Sequence, residues 1–259
     1  MAGIPPAAVS FDESAPGYEQ IMARALLPVA AEVVRRASLR PKQRVLDVGT
    51  GTGIALAAAA GDGRELTGLD GAPHMLELAR KRLPAANFVH ADFAAMPFPN
   101  GAFDVIVSSH ALLFADDRVA VLREMRRVAR GGSRLSLSVP GPEEVTPTTI
   151  FGPIYERYGI DTAGRYPEVE ELASWATEAG WNDVETATDP TVAIHLVDEA
   201  EFRTWRNLGA RAQATRAWPP ERHEALTSDM LAMAPRQPDG SFRLPFGALY
   251  LSARVSPTV

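Results

Sequence analysis

A chain of 259 residues, 46% hydrophobic and 22% charged, is long enough to bury a sizeable core as one α/β domain with insertions. Its net charge of −6 argues against a partner gripped through phosphates, so nucleic acid is not expected and a small molecule fits better. The lack of cysteine excludes disulfides, thiolate zinc sites, iron–sulfur clusters and a thiol nucleophile, and no metal site is expected. The opening MAGIPPAAVSFDESAP has neither the basic start nor the apolar centre of a signal peptide, and no uncharged apolar run would span a bilayer. A cytoplasmic protein without a membrane partner is the expectation.

Over residues 18–36 the apolar positions Ile21, Met22, Ala25, Leu26, Val29, Val33 and Val34 keep helical spacing, and Pro28 is expected to kink or divide that helix. RVLDV, 44–48, reads as a buried strand running into the glycine turn GTGTG, 49–53. Residues 54–60 form a helix whose small side chains permit close packing on a sheet. After Gly61-Asp62-Gly63 come the strand ELTGLD, a helix over 73–83 and the strand NFVHAD. PFPNGAFD turns the chain into VIVSS, 105–109. The next helix, 116–130, is expected to stop at Gly131-Gly132, before the strand RLSLSVP at 134–140. Strands alternating with helices at this spacing mean parallel βαβ units and a sheet covered on both faces.

Two later stretches break the alternation. Residues 141–166, rich in Pro, Gly and Thr, carry Ile150, Phe151, Ile154, Tyr155 and Tyr158 at helical spacing. A helix over 167–179 then leads to the strand DVETAT. Within 190–240 the capping box Asp198-x-x-Glu201 opens one helix, Pro219-Pro220 precedes another, and FGALYLSARV closes the chain as a last strand.

In open parallel sheets ligands bind beyond the carboxyl ends of the strands, so the turn after the first strand is the first place to look. Gly49, Gly51 and Gly53 let the backbone pass close to a ligand. A dinucleotide fingerprint needs a small residue where Ile54 stands, or Leu56 if the count starts at Gly51, and the phosphate-loop Gly-Lys-Ser/Thr is absent.

DVGTGTG instead resembles the first motif of class I methyltransferases that use S-adenosylmethionine. LTGLDGAPHMLELA resembles their second-strand motif, whose terminal acid is Asp70 here. VHADFAAMPFPNGAFDVIVSSHALLF resembles the adenine-side acid, Asp92, and the fourth strand, and RVARGGSRLSLSVP resembles the following helix, Gly-Gly turn and fifth strand. The resemblance runs from about residue 11 to 140, weakly again in PEVEELASWATEAGW and the final strand, and is closest to the branch of ubiquinone and menaquinone biosynthesis methyltransferases.

The resemblance implies a Rossmann-like, doubly wound α/β fold: a mostly parallel seven-stranded sheet with an antiparallel last strand and helical lid insertions. It divides a single methyltransferase domain into a core (about 37–140, 167–188 and 241–256), lid or substrate insertions (about 141–166 and 190–240) and an N-terminal cover (10–36). It also implies methyl transfer from S-adenosylmethionine, leaving S-adenosylhomocysteine, to a small hydrophobic or aromatic acceptor at oxygen or carbon. Contacts to the donor are implied for Gly49, Thr50, Gly51, Gly53, Gly71 and Ser108. The carboxylate of Asp70 has two oxygens for the neighbouring hydroxyls of a ribose, and Asp92 suits the exocyclic amine of adenine, with Phe93 and Met75 offering apolar surface to the ring. Asp47 suits the amino group. The same acids also fit helix caps, turns or solvated carboxylates.

Methyl transfer from a sulfonium is an in-line displacement in which the protein supplies proximity, alignment and exclusion of water. An acceptor that must lose a proton needs a base, and His110, beyond Ser108-Ser109, is the candidate; a histidine packed under the insertion is the alternative. His195 and His223 are weaker candidates. Tyr18 and Phe11 resemble the N-terminal segment that folds over the donor in this branch, or pack the first helix. Phe11, Tyr155, Tyr158 and Trp205 are candidates to face the acceptor.

Phe202, Trp205, Leu208 or Gly209, and Ala212 form an apolar stripe flanked by Arg203 and Arg206, the first arginines a carboxylate or phosphate would meet. Arg123, Arg126, Arg127 and Arg130 line one helix face and read as a solvated surface. Two other functions stay open: an RNA or protein methyltransferase, disfavoured for nucleobase amines because SSHA replaces an Asp/Asn-Pro-Pro-Tyr/Phe motif, and a non-catalytic donor-binding scaffold. A monomer and a homodimer are equally compatible with the sequence.

Overall fold

The computed structural model describes residues 6–161, 166–208 and 214–256. The strands β1 (Arg44–Val48), β2 (Glu65–Asp70), β3 (Asn87–His90), β4 (Phe103–Ser109), β5 (Ala129–Pro140), β6 (Asn182–Asp189) and β9 (Ala248–Arg254) form one sheet in the order β3-β2-β1-β4-β5-β9-β6. β1 pairs in parallel with both β2 and β4, so the strand order reverses beside it. β9 runs antiparallel to β5 and β6, giving the mostly parallel seven-stranded sheet with an antiparallel last strand.

Successive side chains of a strand point to opposite faces, and the two hydrophobic cores divide accordingly. Val45, Val105 and Val107 face the core packed by α2 (Arg24–Ala37) and α3 (Ile54–Ala58). Leu46, Val48 and Ile106 face that of α5 (Arg118–Val128) and α7 (Val169–Glu178). α4 (Pro73–Arg82) follows β2, and α1 (Pro6–Tyr18) lies against it.

Local departures from the expected boundaries have local causes. Pro28 does not divide its helix: it lies within α2, and the ladder opens upstream instead, in a π-helical turn at Glu19–Ala23. A proline crowds the preceding turn, and a π turn is where the i→i−4 ladder is released. α5 begins on Asp117, whose carboxylate accepts the Ala120 N–H at 2.8 Å, and ends at Val128. Gly131 and Gly132 therefore lie inside β5, and the register against β4 shifts between Phe103 and Val105.

The two insertions, apart from residues 162–165 and 209–213, which lie with Gly209 and Ala212 outside the described residues, add α6 (Pro147–Arg157), α8 (Glu199–Arg206) and α9 (Pro220–Met233). They also add a two-stranded antiparallel ribbon, β7 (Ala193–Leu196) with β8 (Phe242–Pro245), that the sequence reading did not anticipate. Its alternation is plain in retrospect, with Ile194, Leu196, Phe242 and Leu244 buried and His195 and Arg243 exposed. The capping box forms in modified shape. Asp198 accepts the Glu201 N–H at 2.9 Å, but Glu201 accepts from Val197 N–H at 3.0 Å and pairs with Arg24 at 2.7 Å. Arg24 also donates to the His195 carbonyl at 2.9 Å, fastening the start of α2 to the insertion.

Phe202 is central to the insertion's contribution to the core: its ring lies 5.1 Å from Phe242, 5.5 Å from Trp205 and 6.0 Å from Phe151. No helix among the described residues is long and apolar enough to cross a membrane. Truncating the fully buried Phe202 to Ala is expected to cost about 3–5 kcal/mol in urea unfolding. Leu27→Ala, at a side chain 49% exposed, is expected to stay within about 0.5 kcal/mol.

Candidate active site

Beyond the carboxyl ends of β1, β2 and β4, beside the reversal of strand order, a cavity of about 650 Å³ opens. Its wall comprises Phe11 and Tyr18 of α1, Gly49 and Gly51, Asp70 and Gly71, Met75, Ala91 to Phe93, Ser109 to Ala111, and Phe114. Among the described residues no arginine or lysine lines it.

The glycine turn holds this shape for steric reasons. Gly49, Gly51 and Gly53 have φ of +71°, +54° and +81°, the left-handed region that disfavours side chains. A Cβ at Gly49 would sit 2.2 Å from that of Ala111, whereas at Gly51 it would point into open space. The N–H groups of Gly49 and Thr50 both donate to the Leu69 carbonyl, at 2.8 and 2.9 Å, binding the turn to β2. Gly53 does not line the cavity; it brings α3 against α4 at Ala79.

Asp70 uses one oxygen to accept the Gly51 N–H at 2.8 Å and the other to accept the Ala72 N–H at 2.9 Å. Each oxygen keeps a second lone pair. Burial pushes its carboxyl up against the pull of these backbone donors. Asp47, 1% exposed, accepts the Thr50 hydroxyl at 2.8 Å through Oδ2, while Oδ1 is buried with no partner. Burial pushes its carboxyl up to about 7, the Thr50 hydroxyl opposing this and the charge of Asp70 adding to it. Asp92, at the cavity edge, accepts the Ala94 N–H at 2.8 Å.

After β4 the alternation decides which serine meets the cavity. Ser108 is fully buried and its hydroxyl donates to the Val48 carbonyl at 2.7 Å, tying β4 to β1. Ser109 is the one that lines the cavity, with a buried hydroxyl that has no partner. His110 follows in the left-handed region, φ +57°. Its N–H donates to the Ser138 carbonyl and its Nδ1 lies 2.9 Å from the Ser138 hydroxyl, leaving Nε2 buried without a partner. Burial pushes the imidazole down to about 3, so the ring is neutral near pH 7.

α1 roofs the cavity. Phe11 meets Tyr18 edge-on at 5.8 Å and Phe114 at 4.7 Å. Asp12 accepts the His74 N–H at 2.6 Å and contacts its Nδ1 at 2.9 Å, latching α1 to the start of α4, and Glu19 pairs with Arg82. Burial raises the Tyr18 phenol, as do the charges of Asp70, Glu19 and Asp47.

Of the candidate acceptor residues, Phe11 lines this cavity and the other three lie elsewhere. Tyr155 and Trp205 line a second, smaller cavity. Tyr158 donates to Asp229 at 2.8 Å and stacks on Trp218 at 6.1 Å. The arginine face is engaged, Arg123 with Glu178, Arg126 with the Gly180 carbonyl, Arg127 with Glu124 and Arg130 with Asp104. Ala91, Ser109, Ala111 and Phe114 line the cavity without having been singled out from sequence; the aromatic end of SSHALLF was the signal for Phe114.

Residues 46–137 match the family described as Methyltransferase domain. The demethylmenaquinone methyltransferase of Thermus thermophilus is 30% identical over 223 residues, covering 73% of this chain and 99% of that one. The chain belongs to the class I S-adenosylmethionine-dependent methyltransferases, in the ubiquinone and menaquinone branch. The malonyl-[acyl-carrier protein] O-methyltransferase of Halorhodospira halophila is 28% identical over 255 residues, 93% of this methyltransferase and 84% of its own length. Haemonchus contortus phosphoethanolamine N-methyltransferase 2, bound to phosphomonomethylethanolamine and S-adenosylhomocysteine, shares the fold at TM-score 0.58 and 16% identity, over 89% of this methyltransferase and 53% of that chain.

S-adenosylmethionine is the cofactor of this methyltransferase. The cavity wall has chemistry suited to it, with spare carboxylate lone pairs on Asp70 for a diol and apolar surface for a purine, whereas Asp47 and Thr50 are buried and do not line the wall. An ammonium brought against Asp47 would favour the ionised carboxylate. Affinity for S-adenosylhomocysteine is therefore expected to be about tenfold weaker at pH 6 than at pH 8, with proton release below pH 7, both read by calorimetry. Asp47→Asn is expected to weaken binding and flatten that dependence. The linkage has the opposite sense for stability. An acid raised from 3.8 to about 7 on folding holds its extra proton in the folded state, so its contribution falls as pH rises through that window.

Proposed function

We propose that the enzyme methylates an oxygen or carbon of a small hydrophobic or aromatic acceptor, with His110 receiving the acceptor's proton. The observation that carries this reading is His110, a residue of the cavity wall whose Nε2 is buried without a partner and whose ring packs against Phe246 at 5.5 Å. The Thermus thermophilus relative, named for demethylmenaquinone, supports an acceptor of quinol kind.

In this reading the donor lies along the strand ends. Gly49, Gly51 and Gly71 line its path, Asp47 meets the ammonium, Asp70 the ribose hydroxyls and Asp92 the adenine amine. Met75 and Phe93 flank the ring, Tyr18 closes over it, Thr50 orients Asp47, and Gly53 and Ser108 hold the framework behind. When bound, S-adenosylmethionine supplies an electrophilic methyl on a sulfonium whose charge disappears as the methyl leaves.

In the tautomer with Nδ1–H donating to the Ser138 hydroxyl, Nε2 keeps its lone pair for the acceptor's proton. A base whose imidazole titrates near 3 does not deprotonate a phenol beforehand. It accepts the hydrogen bond and takes the proton as the new bond to methyl forms. The cavity's net charge then stays constant, because one cation appears on His110 as another is lost at sulfur. This avoids adding a second buried charge.

Incubation with labelled S-adenosylmethionine and a panel of phenols, quinols and amines tests the class; label confined to amines would overturn it. Asp70→Ala is expected to weaken cofactor binding by about 1–3 kcal/mol, with the fold retained in circular dichroism. Unchanged affinity would leave Asp70 a purely structural link. His110→Gln is expected to lower kcat by about 10²-fold with cofactor affinity unaltered. The wild-type rate is expected to show no His110 titration between pH 5 and 8.

A further inference from the structure

We propose that the second cavity is an anion site built on Arg206, taking the carboxylate or phosphate of a small ligand whose apolar part lies against Trp205 and Met230. This cavity of about 280 Å³ joins apolar surface from Ile160, Trp205, Leu226 and Met230 to the polar groups of Arg206 and Thr215. Arg206 is 6% exposed. Its guanidinium has five N–H donors, and the acceptors placed against it, the Asn207 side-chain amide oxygen Oδ1 at 2.6 Å and the Thr215 hydroxyl at 3.4 Å, are both neutral.

Among the described residues no carboxylate forms an ion pair with Arg206. Arg203, one turn earlier on α8, shows the contrast: it is half-exposed and pairs with both Glu224, at 2.7 Å, and Glu199, at 3.2 Å. A buried cation without a counter-ion is costly, and the cost appears as a guanidinium whose proton affinity is lowered by burial. An entering carboxylate or phosphate removes that cost and finds the planar fork that binds such oxygens in pairs.

The site also adjoins the catalytic cavity. A Cβ on Gly17 would lie 3.1 Å from Thr204 and 3.3 Å from Leu208, and Leu208 lines the Arg206 cavity. Tyr18, the next residue, lines the donor cavity. The last turn of α1 is thus the partition between them. The anion belongs either to the acceptor itself or to a separate small molecule, and the chemistry recognised is the same.

Calorimetry and thermal unfolding of the full chain with benzoate and with inorganic phosphate test the site without reference to methyl transfer. Binding and a raised midpoint are expected for the wild type with at least one probe. Arg206→Met, which removes the buried charge, is expected to weaken that binding at least tenfold. Met230→Glu supplies an internal counter-ion, and is expected to raise the midpoint of the ligand-free protein and abolish probe binding. These two results support the site even where Arg206→Met fails to fold. Absence of binding of both probes by the wild type, or undiminished binding by a folded Arg206→Met, would overturn it. The sources separate in turnover assays with 4-hydroxybenzoate against phenol. A rise in KM for the carboxylated acceptor alone in Arg206→Met places the anion on the acceptor, and a benzoate-dependent rate with phenol makes it a separate ligand.

Discussion

The two hydrogen bonds accepted by Asp70 set the geometry on which the rest of the site depends. One carboxylate draws the turn after β1, at Gly51, and the turn after β2, at Ala72, to a single point. The Leu69 carbonyl repeats the link by accepting from Gly49 and Thr50. Both turns lie at parallel strand ends where α3 and α4 begin, so fixing them fixes the cavity floor. Burying that carboxylate is unfavourable, and the backbone donors that offset the cost are the groups it positions.

The electrostatics around this link favour a cation. The charge of Asp70 adds to the raised proton affinity of the buried Asp47, His110 is held neutral by burial, and among the described residues no arginine or lysine lines the cavity. Part of Asp47's raised proton affinity comes from Asp70, so a bound positive charge relieves both at once. A sulfonium with an ammonium matches this better than a phosphate would, which agrees with the failure of GTGTG to fit either phosphate-binding glycine pattern.

Most of the framework was legible because it rests on period and punctuation. The strand ends, the glycine turn and the acids at 47, 70 and 92 follow from local sequence, and these are the groups that reach the donor cavity or stand behind it. What was hidden depends on register or on tertiary neighbours. Ser108 and Ser109 are chemically equal in sequence, and only the alternation of β4 against Val48 turns one inward to the sheet and the other to the cavity. Phe114 gains its place from Phe11, which lies more than a hundred residues away. Tyr155 and Trp205 were aromatic residues at helical spacing, and packing among Phe151 and Phe202 took them away from the donor.

The same limit explains why Arg203 and Arg206 looked alike. Three residues apart on one short helix, they are distinguished by what the fold brings to each: two glutamates at the surface for one, an apolar cavity for the other. The strand ends provide the chemistry for the donor. Trp205 and Arg206 of α8 line the second cavity, and Gly17 and Tyr18 of α1 stand between it and the first. α1 is latched to α4 by Asp12 and to the second insertion by Glu13 with Arg216. Two cavities whose walls come from separate segments of the sequence are therefore held apart by the last turn of one helix.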